Sequence, residues 1–370
     1  MSRLLTYALP EGTNAHIDDL VEEIERSPFG SPTPVDLAGV YERLHIKDVV
    51  DDLPEGLNEE DLRGILMLAM LTECATDSYA AVFYEGARDY GTPWLTRFTE
   101  RTWVPDEYTH ADPFKSMLMS MGHSEAELDD HIKRVQEKTF VHSSGKTPVE
   151  LTTFGILQEF LTDHWHGMIA GLLTRRAPEA ARLANEVKKR ETLHYMWYRE
   201  MTAIQVQANP DLLHLVAEAV TSFSMPGMSL IPEYQSKALD WMMPAGADMQ
   251  RNAREVIRHL YALGGNTKRA GELLIEIAII KGIPIAGLSP TRAQSIIDRM
   301  GGVGYSLLGE AVLESVGLPM PEGVGKRNDN KLVGAVPTWG ALYDRGRGKL
   351  RSLIVGRLDL STVTGAPSEK

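Results

Sequence analysis

The 370-residue sequence has one cysteine, Cys74, so it can form no disulfide within the chain and cannot build an iron–sulfur or zinc site from several thiolates. Such sparing use of cysteine fits a reducing cytoplasm. Aromatic residues are scarce at 7%, while Leu, Ala, Met, Glu and Arg are common, a composition that favours helices over sheets. Cations are outnumbered, and the formal net charge of −13 argues against general nucleic-acid binding, which needs clustered Lys and Arg. No run approaches the roughly 18 apolar residues of a membrane span. The best candidate, residues 273–288, is interrupted by Glu276 and Lys281. Residues 1–14 carry no long apolar stretch and no cleavage signature, so a soluble protein is expected.

Hydrophobic residues make up 43% of the chain, enough for a sizeable core. Residues 1–55 are punctuated by Pro28, Pro32 and Pro34 and read as an irregular lead-in with helical turns. Helical periodicity then predicts long helices over 58–90, 92–121, 147–176 and 178–208, with a shorter one from Ser124, where Glu127 completes a capping-box pattern. Gly91 and Gly122 mark two of the stops. The expected fold is all-α: a helical bundle over 56–245, lined at its centre from several helices. Further helical segments are expected near 210–223, 248–263, 266–280 and 290–299, the last three within an additional helical part over 246–320. A Gly-rich tail over 321–370 gathers Lys326, Arg327, Lys331, Arg345, Arg347, Lys349, Arg351 and Arg357.

Two Glu-x-x-His units, Glu107/His110 and Glu191/His194, fall inside long helices, and residues three apart share a helix face and can hold one ion together. The other two long helices carry Glu73 and Glu159. One Glu from each of two helices plus Glu-x-x-His from two others is the ligand set of carboxylate-bridged di-iron bundles, and mixed oxygen and imidazole donors suit iron or manganese. Any single Glu-x-x-His is weak, since eleven histidines yield one by chance. A third unit, Glu42/His45, lies in the lead-in and is taken as that chance match. The order of the four ligand segments, each on its own helix, is what separates the other two from exposed helical pairs.

The run Trp103-Val-Pro-Asp-Glu107-Tyr-Thr-His110-Ala-Asp112 resembles the Trp-x-x-Glu-Glu-x-x-His-x-Asp motif of the acyl-carrier-protein desaturases, which are soluble, ferritin-like di-iron enzymes. Leu71-Thr72-Glu73 with Tyr79, Gln158-Glu159-Phe-Leu-Thr162, Arg190-Glu191-Thr-Leu-His194 and Ser224-Met225-Pro226 are similar to four further segments of that family. The resemblance covers roughly residues 55–235. It departs at Asp106, where glutamate is usual, and at Arg190, where an acid usually precedes the second Glu-x-x-His. Pro105 and Pro113 also flank the first motif and should kink or break its helix.

The resemblance implies that Glu107 and Glu191 bridge two irons, with Glu73 and His110 completing one and Glu159 and His194 the other. It implies O2-dependent removal of two hydrogens from an acyl chain on acyl carrier protein, electrons from a ferredoxin-type donor, and a cytoplasmic homodimer. Thr162 would assist oxygen activation, or simply bond back to its own helix. Trp103 would pass electrons, or fill the core. Asp112 would orient a ligand histidine. His166, two turns after Glu159, is a further residue that could touch metal, and Phe154, Phe160, Met168 and Met196 could wall an acyl tunnel or pack the core. The alternatives are a di-iron N-oxygenase or hydroxylase, which an extra histidine ligand would favour, and a non-catalytic iron-binding bundle. A radical-generating reductase subunit is disfavoured because Phe114 stands where its redox tyrosine belongs. Lys188-Lys189-Arg190 or the basic tail could dock the acidic carrier.

Overall fold

In the computed structural model the described residues are 7–32, 37, 40–232, 234–242 and 244–246, together with the buried Leu263 and Leu273. Among them there is no strand, and the architecture is an all-α helical bundle. The segments expected at 248–263, 266–280 and 290–299, and the basic tail, lie outside the described residues apart from those two leucines. The lead-in is more regular than its prolines suggest: α1 (Thr13–Arg26) is a four-turn amphipathic helix that buries Ile17, Val21 and Ile24.

The central pair is α8 (Pro148–Leu173) and α9 (Pro178–Ala208), which pack along each other's length. α8 starts where Thr147 and Glu150 form a reciprocal capping box ahead of Pro148 at the first helical position. Gly155 lets α9 approach closely, because a Cβ there would meet the Tyr198 ring at 2.6 Å. Around that contact, Phe83, Phe98, Trp103 and Tyr198 pack at ring separations of 5.2 to 6.2 Å. Burying each ring contributes on the order of 1.5–3 kcal/mol. α1 covers α4 (Pro93–Phe98) and α9, and α10 (Leu213–Ser222) covers α8.

Residues 58–90 form two helices, α2 (Glu59–Glu73) and α3 (Thr76–Tyr90), rather than one. The Asn58 side chain caps α2 in a reciprocal box with Asp61, and Gly91 ends α3 in the left-handed region at φ 62°. Between them the backbone breaks at Cys74 and Ala75, and side chains take over freed carbonyls: the Thr76 hydroxyl donates to Glu73 O at 3.0 Å and the Tyr79 hydroxyl to Thr72 O at 3.2 Å. By length and hydropathy Glu59–Tyr90 could cross a membrane, which the sequence did not suggest, but 72% of its apolar window is buried within the bundle.

The helix expected over 92–121 is also divided. It runs as α4, a π-helical turn Thr99–Trp103, α5 (Val104–Glu107), a short turn, and α6 (Ala111–Ser120). Val104 N bonds Thr99 O, one residue further back than in an α-helix. Pro105 and Pro113, lacking N–H groups, cannot donate to the carbonyls four residues earlier, and after α5 the ladder tightens to His110 N→Glu107 O at 3.0 Å. α7 (Glu125–Gln136) begins at the expected cap, with Glu127 N donating to the Ser124 hydroxyl. The short α11 (Gly227–Leu230) and α12 (Tyr234–Met242) follow, α12 lying on α2 with Trp241 Nε1 donating to Asp61.

Candidate metal centre

The breaks in the helices lie beside the ligand candidates. Glu73 is the last residue of α2, Glu107 the last of α5, and His110 stands just before α6. Glu159, Glu191 and His194 sit mid-way along α8 and α9. All six side chains are buried, none more than 3% exposed. They form two groups whose donor atoms lie within 4.8 Å of one another: Glu73, Glu107, His110 and Glu191 in one, Glu107, Glu159, Glu191 and His194 in the other. Glu107 and Glu191 belong to both. Glu42 and His45, by contrast, are exposed and outside the bundle's long helices.

The donor set fits two divalent cations. His110 Nδ1 lies 2.7 Å from Glu191 Oε1, and His194 Nδ1 2.8 Å from Glu107 Oε1. Neither contact has the alignment of a hydrogen bond: both nitrogens and both oxygens are buried without a hydrogen-bond partner, as is Glu159 Oε2. Five inward-facing donor atoms left unsatisfied in a dry interior are costly unless a cation joins them. Four buried glutamates also call for about four positive charges, the sum of two divalent ions.

The protonation states of the metal-free centre carry the same signature. Burial and the Glu191 charge raise the Glu107 carboxyl to about 7, and burial with the charges of Glu107 and Glu191 raises Glu159 well above its ordinary range. Burial opposes ionisation of Glu191 too, but the His110 charge beside it holds it low. Burial disfavours the charged imidazoles of His110 and His194, yet the surrounding carboxylates win and both are raised well above the ordinary value. In such a set the protons stand where cations belong.

Neighbouring side chains hold these groups from behind. Trp103 Nε1 donates to Glu159 Oε1 at 3.0 Å, and the Thr162 hydroxyl donates to Glu191 Oε2 at 2.8 Å besides facing the Gln158 and Glu159 carbonyls. His166 is fully buried, and its Nε2 lies 2.9 Å from Glu73 Oε1 and 4.0 Å from Glu191 Oε1, beside the first donor group without being one of its four members. The position expected for the histidine-orienting acid needs correction. Asp112 is exposed at the start of α6 and forms no hydrogen bond to a histidine. That contact is made by Asp106, whose Oδ2 lies 2.8 Å from His194 Nε2. Arg190, the other departure, donates to the same oxygen at 2.6 Å. The pairing joins residues 84 and 88 positions apart, and only Asp106's place beside Glu107 hinted at it. Of the proposed tunnel residues, Phe154 and Phe160 are buried, Met168 is half-buried, and Met196 is 44% exposed and lines no interior wall.

A family model described as fatty acid desaturase matches residues 34–252, more than half of the chain. The protein belongs to that family. No curated protein matches the sequence. The match contains all six members of this desaturase's carboxylate–histidine cluster, together with Trp103, Asp106, Thr162, His166 and Arg190. Family membership makes the chain an oxidoreductase of fatty acid metabolism, and the buried Glu/His cluster gives it a centre able to bind metal.

Proposed function

We propose that this desaturase removes two hydrogens from an acyl chain carried on acyl carrier protein, in an O2-dependent reaction at two irons held by Glu73, Glu107, His110, Glu159, Glu191 and His194. The observation that carries the proposal is the sharing of Glu107 and Glu191 between two buried groups of three glutamates and one histidine. Bound iron would supply O2 reduction and abstraction of hydrogen from an unactivated C–H bond. The chain's own part is to aim and insulate. The shared carboxylates Glu107 and Glu191 would hold two cations, Trp103 and His166 fix the unshared glutamates, and burial excludes water that would quench an oxidant. The Thr162 hydroxyl offers a proton within 2.8 Å of Glu191 Oε2.

Carrier docking is better assigned to the basic tail than to α9. Lys188 is engaged by Asp163 at 3.0 Å, Lys189 by Glu186 at 2.8 Å and Arg190 by Asp106, so that triplet offers little unpaired charge. The tail cations, which lie outside the described residues, are the remaining cluster. A ferredoxin-type reductant and a homodimer complete the proposal. The test is anaerobic iron loading followed by reaction with acyl-carrier protein, reduced ferredoxin and O2. About two irons per chain and a product lighter by two hydrogens are expected. A product heavier by one oxygen would identify a hydroxylase instead, and folded protein that takes up no iron would overturn the metal assignment. Charge reversal at Arg345, Arg347 and Arg351 should weaken carrier-dependent turnover, and added salt should weaken the parent in the same way.

A further inference from the structure

The two halves of the centre are supported unequally. Their unshared glutamates are matched, each held by one ring nitrogen: Glu159 by Trp103 at 3.0 Å and Glu73 by His166 at 2.9 Å. The histidines differ. His194 turns Nδ1 towards the carboxylates and Nε2 outward, where Asp106 Oδ2 meets it at 2.8 Å. Asp106 is itself only 1% exposed, and Arg190 pins it: Arg190 Nε donates to Oδ2 at 2.6 Å while a second guanidinium nitrogen donates to the Phe29 carbonyl at 2.7 Å. Two fixed contacts on a planar guanidinium leave Asp106 little freedom. His110 has no counterpart. Neither of its ring nitrogens makes a hydrogen bond, and its Nε2 stands 3.9 Å from the same Asp106 oxygen, beyond hydrogen-bond reach.

A carboxylate behind a histidine fixes its tautomer and ring angle and raises its basicity, and removing such a partner typically costs about 10–100-fold in metal affinity. We infer that Asp106 and Arg190 form a positioning pair that makes the Glu159/His194 half the tight metal site, and that the Glu73/His110 half takes its ion second and more weakly. The inference rests on the six residues being metal ligands. It goes beyond that assignment by ordering the two sites and by giving Arg190 a role: the guanidinium commits Asp106 to His194.

The test is an anaerobic titration of metal-free protein with Co(II), followed by visible absorption and calorimetry, so that no turnover is needed. Two steps of one equivalent each are expected, separated by about tenfold or more in affinity. His110→Ala should keep the tight step and lose the weak one, and His194→Ala should lose the tight one. Arg190→Gln and Asp106→Asn should weaken the tight step by about 10–100-fold and draw the two together, with Arg190→Lys intermediate. Arg190 is partly exposed, with 15% of its side chain reaching solvent, whereas Asp106 is buried, so the Arg190 variants report even if Asp106→Asn fails to fold. Two equal steps in the parent, a tight step that survives in His194→Ala, or an Arg190→Gln titration identical to the parent's would overturn the inference while leaving the metal assignment standing. Folded protein that binds no Co(II) would overturn both.

Discussion

The α8–α9 pair and the segment 93–120 both deliver ligand candidates to one centre, by contrasting means. α8 and α9 are unbroken rods of 26 and 31 residues, and Glu159, Glu191 and His194 project from their middles. The segment 93–120 reaches the same centre through α, π and α turns, interrupted by Pro105 and Pro113. The interruption changes which residues face inward. An uninterrupted α-helix continuing the buried face of Trp94, Leu95 and Phe98 would carry Arg101, Pro105 and Thr109 inward. One extra residue in the π turn advances the register, and Trp103, Asp106, Glu107 and His110 are buried while Arg101 and Tyr108 are exposed. In this segment the backbone departs from the ideal just ahead of Glu107 and His110, as π turns commonly do at functional sites.

The contrast can be broken most severely at the shared carboxylates, one from each region. Glu107→Ala or Glu191→Ala is expected to abolish oxygen chemistry and most metal uptake, whereas Glu42→Ala should change neither; metal analysis beside turnover decides it, and equal losses in all three would show the ligand set to be misassigned. Next comes the register. An alanine inserted after Thr102 should rotate Glu107 and His110 by about 100° and remove metal binding. Deletion of Thr102, which restores an α turn with the same residues facing inward, should retain more metal than the insertion. Circular dichroism should show both variants still helical, and equal metal content in the two would refute the register assignment.

On the α8–α9 side, Thr162→Val removes one hydroxyl at nearly constant volume. A hydrogen bond to a charged group is worth about 1.5–3 kcal/mol, so turnover should drop by about 10–100-fold with metal content kept; unchanged turnover would return Thr162 to packing. Gly155→Ala pushes a methyl into the Tyr198 ring and should cost about 1–3 kcal/mol in chemical denaturation, where an unchanged midpoint would show that the rods can separate freely.

The smallest effect lies away from the centre. Burial lowers the His142 imidazole from its ordinary 6.5 to about 4, and its ring sits 4.7 Å from that of Phe154. A histidine depressed in the fold gives stability that is complete above its unfolded pKa and is lost as pH falls from about 6.5 towards 4. This half-buried ring should account for a loss on the order of 1–2 kcal/mol. His142→Gln should flatten that part of the acid-unfolding curve, and an unaltered slope would assign the acid sensitivity to other groups.

Much of the bundle is legible along the chain, because its signals are local. The Asn58 and Thr147 caps, the Gly91 stop and the Glu107/His110 and Glu191/His194 spacings depend on residues within a turn or two of one another, and α8 and α9 lie within a few residues of where periodicity puts them. The breaks are less legible. Prolines 105 and 113 announce a disturbance without its form, and nothing local marks the parting of α2 from α3, which side-chain hydroxyls sustain.

By itself, then, the sequence determined an all-α chain with carboxylates and histidines at helical spacing on four segments, since a period of 3.6 is written residue by residue. Only the tertiary structure decided what stands behind each ligand candidate. Asp106 rather than Asp112 backs His194 from 88 positions away, His166 holds Glu73 across 93, and His110 goes without. Such pairings are set by how the helices pack and rotate against one another, a property of the assembled bundle that no spacing along one helix contains.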